Sequence, residues 1–202
     1  AGVDTNNQPD IILFDRVMNT FSQFDRINEG TVNGNPSQAN AEDAFSTFAL
    51  ADEAKYAVFD SVASNMISGD SNGRYDIFYR NRITRITSRI NLGPGGVQGN
   101  GNSVRPTISH DGRWVAFESD ANNLIAGDSN GKSDIFLWDR NNPTVLERVS
   151  VNSNGAQANG HSRTPKINGT GRFITFWSEA TNLVDGDTNN QPDIFVHDRV
   201  TG

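Results

Sequence analysis

The sequence predicts an all-β protein, a β-propeller built from four-stranded antiparallel blades. One motif recurs four times, short alternating apolar segments are separated by turn residues, and no segment has the apolar periodicity of an amphipathic helix. A supersecondary repeat that holds four strands is typical of a propeller blade. The alternative is a β-sandwich, which has frequent turns but no such repeat. The repeat therefore favours the propeller.

The repeated motif has the form Asp-x-Asn-x-x-x-Asp and is followed by an apolar strand. Its first aspartates are Asp4, Asp70, Asp128 and Asp187, so the successive periods are 66, 58 and 59 residues. Self-similarity at a nearly fixed period indicates units that bury their apolar faces against their neighbours.

The repeat around Asp128 shows the strands of one blade most clearly, and we label them A to D from the inside of the ring. Arg105–Ser109 and Arg113–Ser119 predict strands A and B, because they flank an Asp-Gly turn signal. A polar connection carries the motif. Ser133–Arg140 then predicts strand C, and Thr144–Val151 predicts strand D.

The same template divides the whole chain, which we read as one propeller region over residues 1–202. It predicts a half blade at 1–28 (strands C and D), blades at 44–91 and 105–151, and a three-stranded blade at 163–199. The half blade consists of Asp10–Arg16 and Phe21–Ile27. Roughly three blades are fewer than the usual four to eight or so. We therefore expect a partial ring, either a processed piece of a larger ring or one of several copies that complete one another.

The segment at residues 108–140, ISHDGRWVAFESDANNLIAGDSNGKSDIFLWDR, resembles the repeats of TolB-like (WD-repeat-like) β-propellers. The positions that fit are Ser109, Asp111, Gly112, Phe117, Ser119, Asp134, Ile135, Phe136 and Asp139. The last repeat departs at the turn Asn168–Gly171, and the first is degenerate at Ala51–Glu53. The resemblance implies the fold but not one function, since such propellers serve as scaffolds, docking platforms, enzyme domains and surface modules.

Charge and composition restrict the partners. The chain has 17 Lys and Arg against 24 Asp and Glu, and this acidic balance argues against nucleic acid, which needs clustered positive charge. No apolar run approaches the ~18 residues of a membrane span, and residues 1–7 have no signal-peptide pattern. Together with the resemblance, this composition leads us to expect an extracellular or periplasmic bacterial protein.

The long polar connections are the expected functional surface. In an up-and-down blade the B–C and D–A connections lie on one face, and here they are the long ones. Long loops on one face of a rigid scaffold are where binding residues concentrate.

The repeated motif on this face predicts calcium as a cofactor. Oxygen-bearing side chains stand at its positions 1, 3 and 7, and calcium takes about six to eight oxygen ligands from a curled loop. The alternative is that these residues only form Asx-turns and cap strand C; the repetition does not separate the two. The candidate ligands are Asp4, Asn6, Asp10, Asp70, Asn72, Asp76, Asp128, Asn130, Asp134, Asp187, Asn189 and Asp193.

Two further patterns recur. A Gln-x-Asn element in the D–A loops offers amides to a protein or carbohydrate partner, or else caps the loop backbone. Its members are Gln38, Asn40, Gln98, Asn100, Gln157 and Asn159. The Asp-Arg pairs that end strand C, such as Asp139-Arg140 and Asp198-Arg199, predict ion pairs between blades.

The sequence gives no positive sign of catalysis. His110, His161 and His197 fall at three different repeat positions, and no Gly-x-Ser-x-Gly elbow is present. We therefore expect a non-enzymatic binding module whose partners are other protein chains, copies of itself or carbohydrate. Two alternatives stay open: a structural subunit that forms a ring or filament by inter-chain strand complementation, and a propeller domain detached from a larger hydrolase.

Overall fold

The computed structural model describes residues 12–15, 18–23, 31–32, 35–36, 47–52 and 54–201. Within these ranges the chain is built of antiparallel strands, with a single short 3-10 turn at Pro94–Gly96. Two sheets have four strands in the sequential order of a blade, and a third has three strands. This confirms the predicted all-β propeller architecture.

The strands are numbered along the chain. Before the first complete blade they are β1 (Ile12–Asp15), β2 (Thr20–Gln23), β3 (Thr31–Val32) and β4 (Asn35–Pro36). The first blade contains β5 (Phe48–Ala51), β6 (Tyr56–Ser61), β7 (Asp76–Asn81) and β8 (Ile86–Arg89), and is followed by the hairpin β9 (Leu92–Gly93) and β10 (Val97–Gln98). The second blade contains β11 (Ser103–Ile108), β12 (Trp114–Ser119), β13 (Asp134–Asp139) and β14 (Asn142–Arg148). The third sheet contains β15 (Ser162–Ile167), β16 (Phe173–Ser178) and β17 (Asp193–Asp198).

Strands B and C lie where the sequence predicts them, whereas strand D of the second blade begins earlier. β14 starts at Asn142, directly opposite Asp139, so Pro143 lies inside the strand and not in a turn. Proline is tolerated there because β14 is an outer strand, with no further strand beside it in the described residues. The β3–β4 and β9–β10 hairpins were not predicted.

The core lies between successive blades, because both faces of the central strands are apolar. Phe117 of strand B stands opposite Phe136 of strand C, and their rings stack at a centroid distance of 5.9 Å. The same pair recurs in the first blade and in the third sheet at 5.7 and 5.9 Å. The first seam buries Val58, Ile77 and Tyr79 against Val115, Phe117 and Leu124; the second buries Ala116, Ile135 and Leu137 against Ile174, Phe176 and Leu183.

The Asp-Arg pairs at the end of strand C form a predicted inter-blade ion pair through one arginine, Arg199, which lies 3.8 Å from Glu147, whereas their acids do not. Asp139 instead accepts two hydrogen bonds of 2.8 Å from Arg113 of its own blade. The arginine that follows reaches the preceding blade through an aromatic ring: Arg140 lies 4.5 Å from the centroid of Tyr56, and Arg199 lies 3.5 Å from that of Trp114. The predicted inter-blade ion pair is thus present at Arg199, whereas Asp139 and Asp198 pair within their own blade. Cation–π contacts therefore join the blades at this end of strand C as well.

Candidate functional site

The B–C and D–A connections meet on one face of the molecule, as predicted. At the first seam the amide of Asn72 donates to the carbonyl of Gly99 at 3.1 Å, and that of Asn123 donates to the carbonyl of Gln98 at 2.8 Å. The second seam repeats both bonds, from Asn130 and Asn182. Each D–A loop is thereby fixed between two B–C loops. We call this surface the loop face.

In the first complete blade, an arginine from strand D lies between the two acids of the motif. Arg89, whose side chain is buried, lies 3.1 Å from a carboxylate oxygen of Asp70 and 3.0 Å from one of Asp76. It also donates to the side-chain oxygen of Gln98 at 3.2 Å. Asn91, two residues later, donates to Asp76 at 2.7 Å. The two acids thus face a guanidinium and an amide.

The second blade has the same arrangement. Arg148 lies 3.2 Å from Asp128 and 3.7 Å from Asp134, and it donates to the side-chain oxygen of Gln157. Ser150 takes the place of the asparagine and donates to Asp134 at 2.6 Å. Two blades with different loop sequences therefore have the same arrangement, in which the guanidinium group bridges the first and last acids of the motif.

The motif asparagines present their amide nitrogens, not their oxygens, to the acids. The oxygen of Asn130 accepts the backbone N–H of Lys132 at 2.9 Å, which is an Asx-turn, while its nitrogen donates to Asp134 at 3.0 Å. Asn72 and Asn189 make the same turn, at 2.9 and 2.7 Å. One of the two lone pairs of the oxygen that would ligate a cation is thus used by the loop.

This contact set does not fit calcium in the two complete blades. Calcium needs six or so oxygen ligands around one point, but here a cationic side chain lies among the acids. Burial raises the pKa of Asp134, while Ser150 and the Arg148 charge oppose that effect. Burial, together with the Asp76 charge, also raises the pKa of Asp70. A second cation would have to displace the arginine from a buried position.

The other two copies of the motif differ from these. Asp4, Asn6 and Asp10 lie outside the described residues. In the last copy Asn189 donates to Asp193 at 3.3 Å, but no described residue hydrogen-bonds to the buried Oδ2 of Asp187. In the described part of the chain, no arginine occupies this copy.

The described Gln-x-Asn residues hold the loops of the chain together. Gln98 donates to the carbonyl of Gly69 at 2.6 Å, and Gln157 donates to Ser129 at 2.8 Å. Asn100 and Asn159 bind the following B–C loop, donating to Asn122 at 2.6 Å and to Thr181 at 3.0 Å. Gln38 and Asn40 lie outside the described residues. These contacts are those of the loop-capping alternative, and ligand binding by the element stays a prediction.

A cavity of about 510 Å³ opens at the inner end of the loop face, where the first, second and third sheets meet. The residues that line it come from the starts of strands A, the end of β12 and the ends of the B–C loops; they include Tyr75, Asn102, Glu118, Asp120, His161 and Arg163. We call it the rim cavity. Its volume is that of a ligand-sized pocket, and polar groups converge on it.

Two residues of the rim cavity break the repeat. His161 takes the position of Asn102: each accepts a backbone N–H from the end of a B–C loop, at 3.0 Å from Ser133 and 3.2 Å from Tyr75. Arg163 takes the position of Val104 and has no hydrogen bond or ion pair within the described ranges, although its Nε is buried. Arg163 was not predicted as a site residue, and the sequence signal for it is this departure from an apolar repeat position.

No protein-family model matches the sequence, and no curated protein sequence matches it. Among solved structures, the chain is similar to TolB from Acinetobacter baumannii, with a TM-score of 0.54 and 17% identity over 96% of this chain and 36% of that one. It is also similar to the tricorn protease, with a TM-score of 0.52 and 14% identity over 88% of this chain and 14% of that one. The chain thus spans about a third of the TolB chain.

At these identities the likeness concerns the fold alone. Among the described residues there is no helix with the length and apolar character of a membrane span. The blade order, the stacked Phe pairs between strands B and C, and the structural similarity to TolB agree with one another. The described residues therefore form consecutive blades of a β-propeller whose fold is similar to that of TolB.

Proposed function

We propose that this chain is a non-enzymatic, extracytoplasmic β-propeller binding module that engages another polypeptide at the rim cavity. The observation that carries the proposal is Arg163, a cation without a described partner at the wall of this cavity. Arg163 is half-buried and its Nε is fully buried, so a partner that neutralises its charge is favoured.

The chemistry of the cavity favours a carboxylate of the partner. Because Nδ1 of His161 accepts the N–H of Ser133, a neutral His161 carries its proton on Nε2 and is a donor there. Arg163 is a donor at every nitrogen. Glu118, by contrast, is already paired with Arg105 at 2.8 Å, which leaves less free negative charge in the cavity.

The loop face is also built to be rigid. The amide bonds between neighbouring loops hold the B–C and D–A connections in place, so little loop ordering has to accompany binding, and that favours affinity. The non-enzymatic part of the proposal is supported by the positions of the histidines. His110 lies at an A–B turn, His161 at the rim cavity and His197 on β17, so they do not form one constellation.

Peptide selection followed by substitution tests the proposal. Peptides selected from a random library for binding to the intact chain should lose at least tenfold in affinity in the Arg163→Gln variant. The reason is that a hydrogen bond to a charged group contributes about 1.5–3 kcal/mol. The matched control is Arg172→Gln, since Arg172 is exposed and bound to Asp198 at the opposite end of the blade.

Fluorescence anisotropy with each selected peptide provides the affinities. Binding that is equal in wild type and Arg163→Gln would place the ligand surface elsewhere and refute the proposal. An amidated peptide should bind more weakly than its free acid wherever the C-terminal carboxylate is the group recognised.

A structural role is the second candidate, and exposed apolar side chains favour it. Ile194 and Val196 of β17 are 69% and 63% exposed, whereas Ile135 and Leu137, at the same positions of β13, are 0% and 2% exposed. This exposed apolar face is suited to packing against another protein surface. A role as the propeller domain of a larger hydrolase stays a prediction, since the similarity to the tricorn protease extends to the fold only.

A further inference from the structure

The rim cavity contains charges of both signs, and two of them have no partner among the described residues. Arg163 contributes a guanidinium group whose Nε is buried without a hydrogen bond. Asp120 lines the same cavity, and its side chain makes no hydrogen bond or ion pair in the described part of the chain. These two residues do not pair with each other. The cavity therefore presents one uncompensated cation and one uncompensated anion.

The other acid of the cavity, Glu118, is compensated by the protein itself. Its Oε2 accepts a hydrogen bond of 2.8 Å from the guanidinium group of Arg105 and one of 3.2 Å from the backbone N–H of Thr164. The Glu118 side chain is buried, so these bonds hold it in place. Asp120 is thus the acid of this cavity whose charge is left for a ligand to neutralise.

The backbone holds Asp120 at the wall of the cavity. Its N–H donates to the carbonyl of Asn102 at 3.0 Å. A Cβ at Gly101 would lie 2.2 Å from Oδ1 of Asp120, so the carboxylate group packs directly against the backbone at this glycine. An acid that is already positioned lowers the ordering cost of binding.

The corresponding acid of the third sheet, Glu179, has the same backbone anchor but lies outside the cavity. Its N–H donates to the carbonyl of His161 at 2.9 Å. A Cβ at Gly160 would meet backbone atoms, the nearest of them the carbonyl carbon of Glu179 at 2.5 Å. Because Glu179 does not line the rim cavity, it provides a matched control for Asp120.

We propose that the rim cavity recognises a zwitterionic group of its partner polypeptide, namely a carboxylate that pairs with Arg163 and a cation that pairs with Asp120. An anion alone would bring a second negative charge close to Asp120, and like charges placed together lower affinity. A group with both charges compensates both residues. This inference rests on the proposed function, because it specifies the chemistry of the partner at the same site.

Substitution of Asp120 has opposite effects on the two kinds of ligand. The probes are the peptides selected on the intact wild-type chain, and fluorescence anisotropy provides their affinities. For a zwitterionic ligand, Asp120→Asn should weaken binding about two- to fivefold, because Asp120 is exposed and water screens its ion pair. For a ligand that is only a carboxylate, the same substitution removes a repulsion and should leave binding equal or make it tighter. Glu179→Gln should leave binding unchanged in either case.

Changes in the peptides identify the source of the cation. Replacing each Lys or Arg of a selected peptide by norleucine removes a side-chain cation, and acetylation removes the charge of the amino terminus. The change that removes the recognised cation should weaken binding to wild type by the same two- to fivefold or so. It should have no further effect on binding to Asp120→Asn, because the two changes remove one interaction.

The outcomes separate a failure of this inference from a failure of the proposed function. Peptides that depend on Arg163 but bind Asp120→Asn as well as wild type, or better, would overturn the zwitterionic ligand and leave the proposed function standing. A selection that returns no peptide dependent on Arg163 would refute both. If Asp120→Asn fails to fold, the peptides decide the matter: wild-type binding that no removal of a peptide cation weakens would overturn the inference.

Discussion

Replacing Arg148 by methionine should lower the free energy of unfolding by about 3–5 kcal/mol, the usual cost of removing one partner of a buried ion pair. The side chains of Arg148, Asp128 and Asp134 are 6%, 3% and 0% exposed, so water cannot replace the lost cation. Methionine keeps most of the volume of the side chain, and the loss therefore reports on charge and hydrogen bonding. Urea unfolding followed by tryptophan fluorescence provides the measurement.

The pH dependence of this variant identifies the cause. Without the cation, the pKa of Asp134 in the folded state rises further above its unfolded value. A carboxyl group with a raised folded pKa stabilises the fold below its unfolded pKa and loses that contribution as pH rises through the folded pKa. The deficit of Arg148→Met relative to wild type should thus be larger at pH 7 than near the ordinary pKa of aspartate, about 4.

Arg113→Met is the matched control for this experiment. Arg113 binds Asp139 with two good hydrogen bonds, but this pair is at the surface, where ion pairs contribute little. Arg113→Met should lower the free energy of unfolding by only a small fraction of the decrease expected for Arg148→Met. Equal decreases in the free energy of unfolding would mean that the buried ion pairs of Arg148 stabilise the fold no more than the surface pair of Arg113 does.

Replacing Gly112 by alanine should cost about 2–5 kcal/mol, because two penalties combine. Gly112 has a φ of 69°, in the left-handed region, where a side chain costs about 1–2 kcal/mol. A Cβ at this position would also lie 2.2 Å from Cδ2 and 2.7 Å from Cγ of Tyr56 in the preceding blade. Overpacking of this kind adds about 1–3 kcal/mol.

Gly131→Ala separates the two penalties. Gly131 has a similar φ of 61°, but a Cβ there meets no atom within 4 Å, so only the backbone penalty of about 1–2 kcal/mol applies. If the two alanine variants unfold at the same urea concentration, the close approach of Tyr56 to Gly112 adds no penalty for a side chain at position 112. Gly171 and Trp114 repeat the contact at the next seam, where the distance from the Cβ position to Cδ1 is 2.1 Å.

The propeller could be predicted because the information that defines it is local and periodic. The Asp-Gly turn at Asp111-Gly112 and the apolar runs of strands B and C are contiguous in sequence. The start of strand D was predicted less well, because proline is typical of turns. Pro143 fits inside β14 because no described strand pairs with the outer edge of β14.

The function of the motif could not be predicted because the decisive residue lies on another strand. Asp128, Asn130 and Asp134 have a spacing that suits an oxygen-ligated cation. The cation that meets them is Arg148, which follows Asp128 by 20 residues and approaches only when strand D folds back. The available signal was the recurrence of Arg-(Ile/Val)-(Ser/Asn) after the first three motifs, at Arg26, Arg89 and Arg148.

The rim cavity shows a different limit of repeat-based prediction. A repeat in the sequence reveals the residues that its copies share. In this chain those residues mostly have structural roles; Gln98 and Gln157, for example, hydrogen-bond to neighbouring loops. Arg163 stands out only where the register shows that its counterpart is Val104. Departures from the repeat are the more informative positions for function in this chain.

The most direct test of the account is whether calcium stabilises the chain. Thermal unfolding would be recorded after chelation and again with millimolar calcium. Because arginine takes the place of the cation in the two complete blades, calcium should raise the midpoint of wild type no more than that of Asp128→Asn. A specific ion at one hundred times its Kd would add about 2.7 kcal/mol, which raises the midpoint by several degrees in a domain of this size. A rise of that size in wild type, lost in Asp128→Asn, would contradict the account.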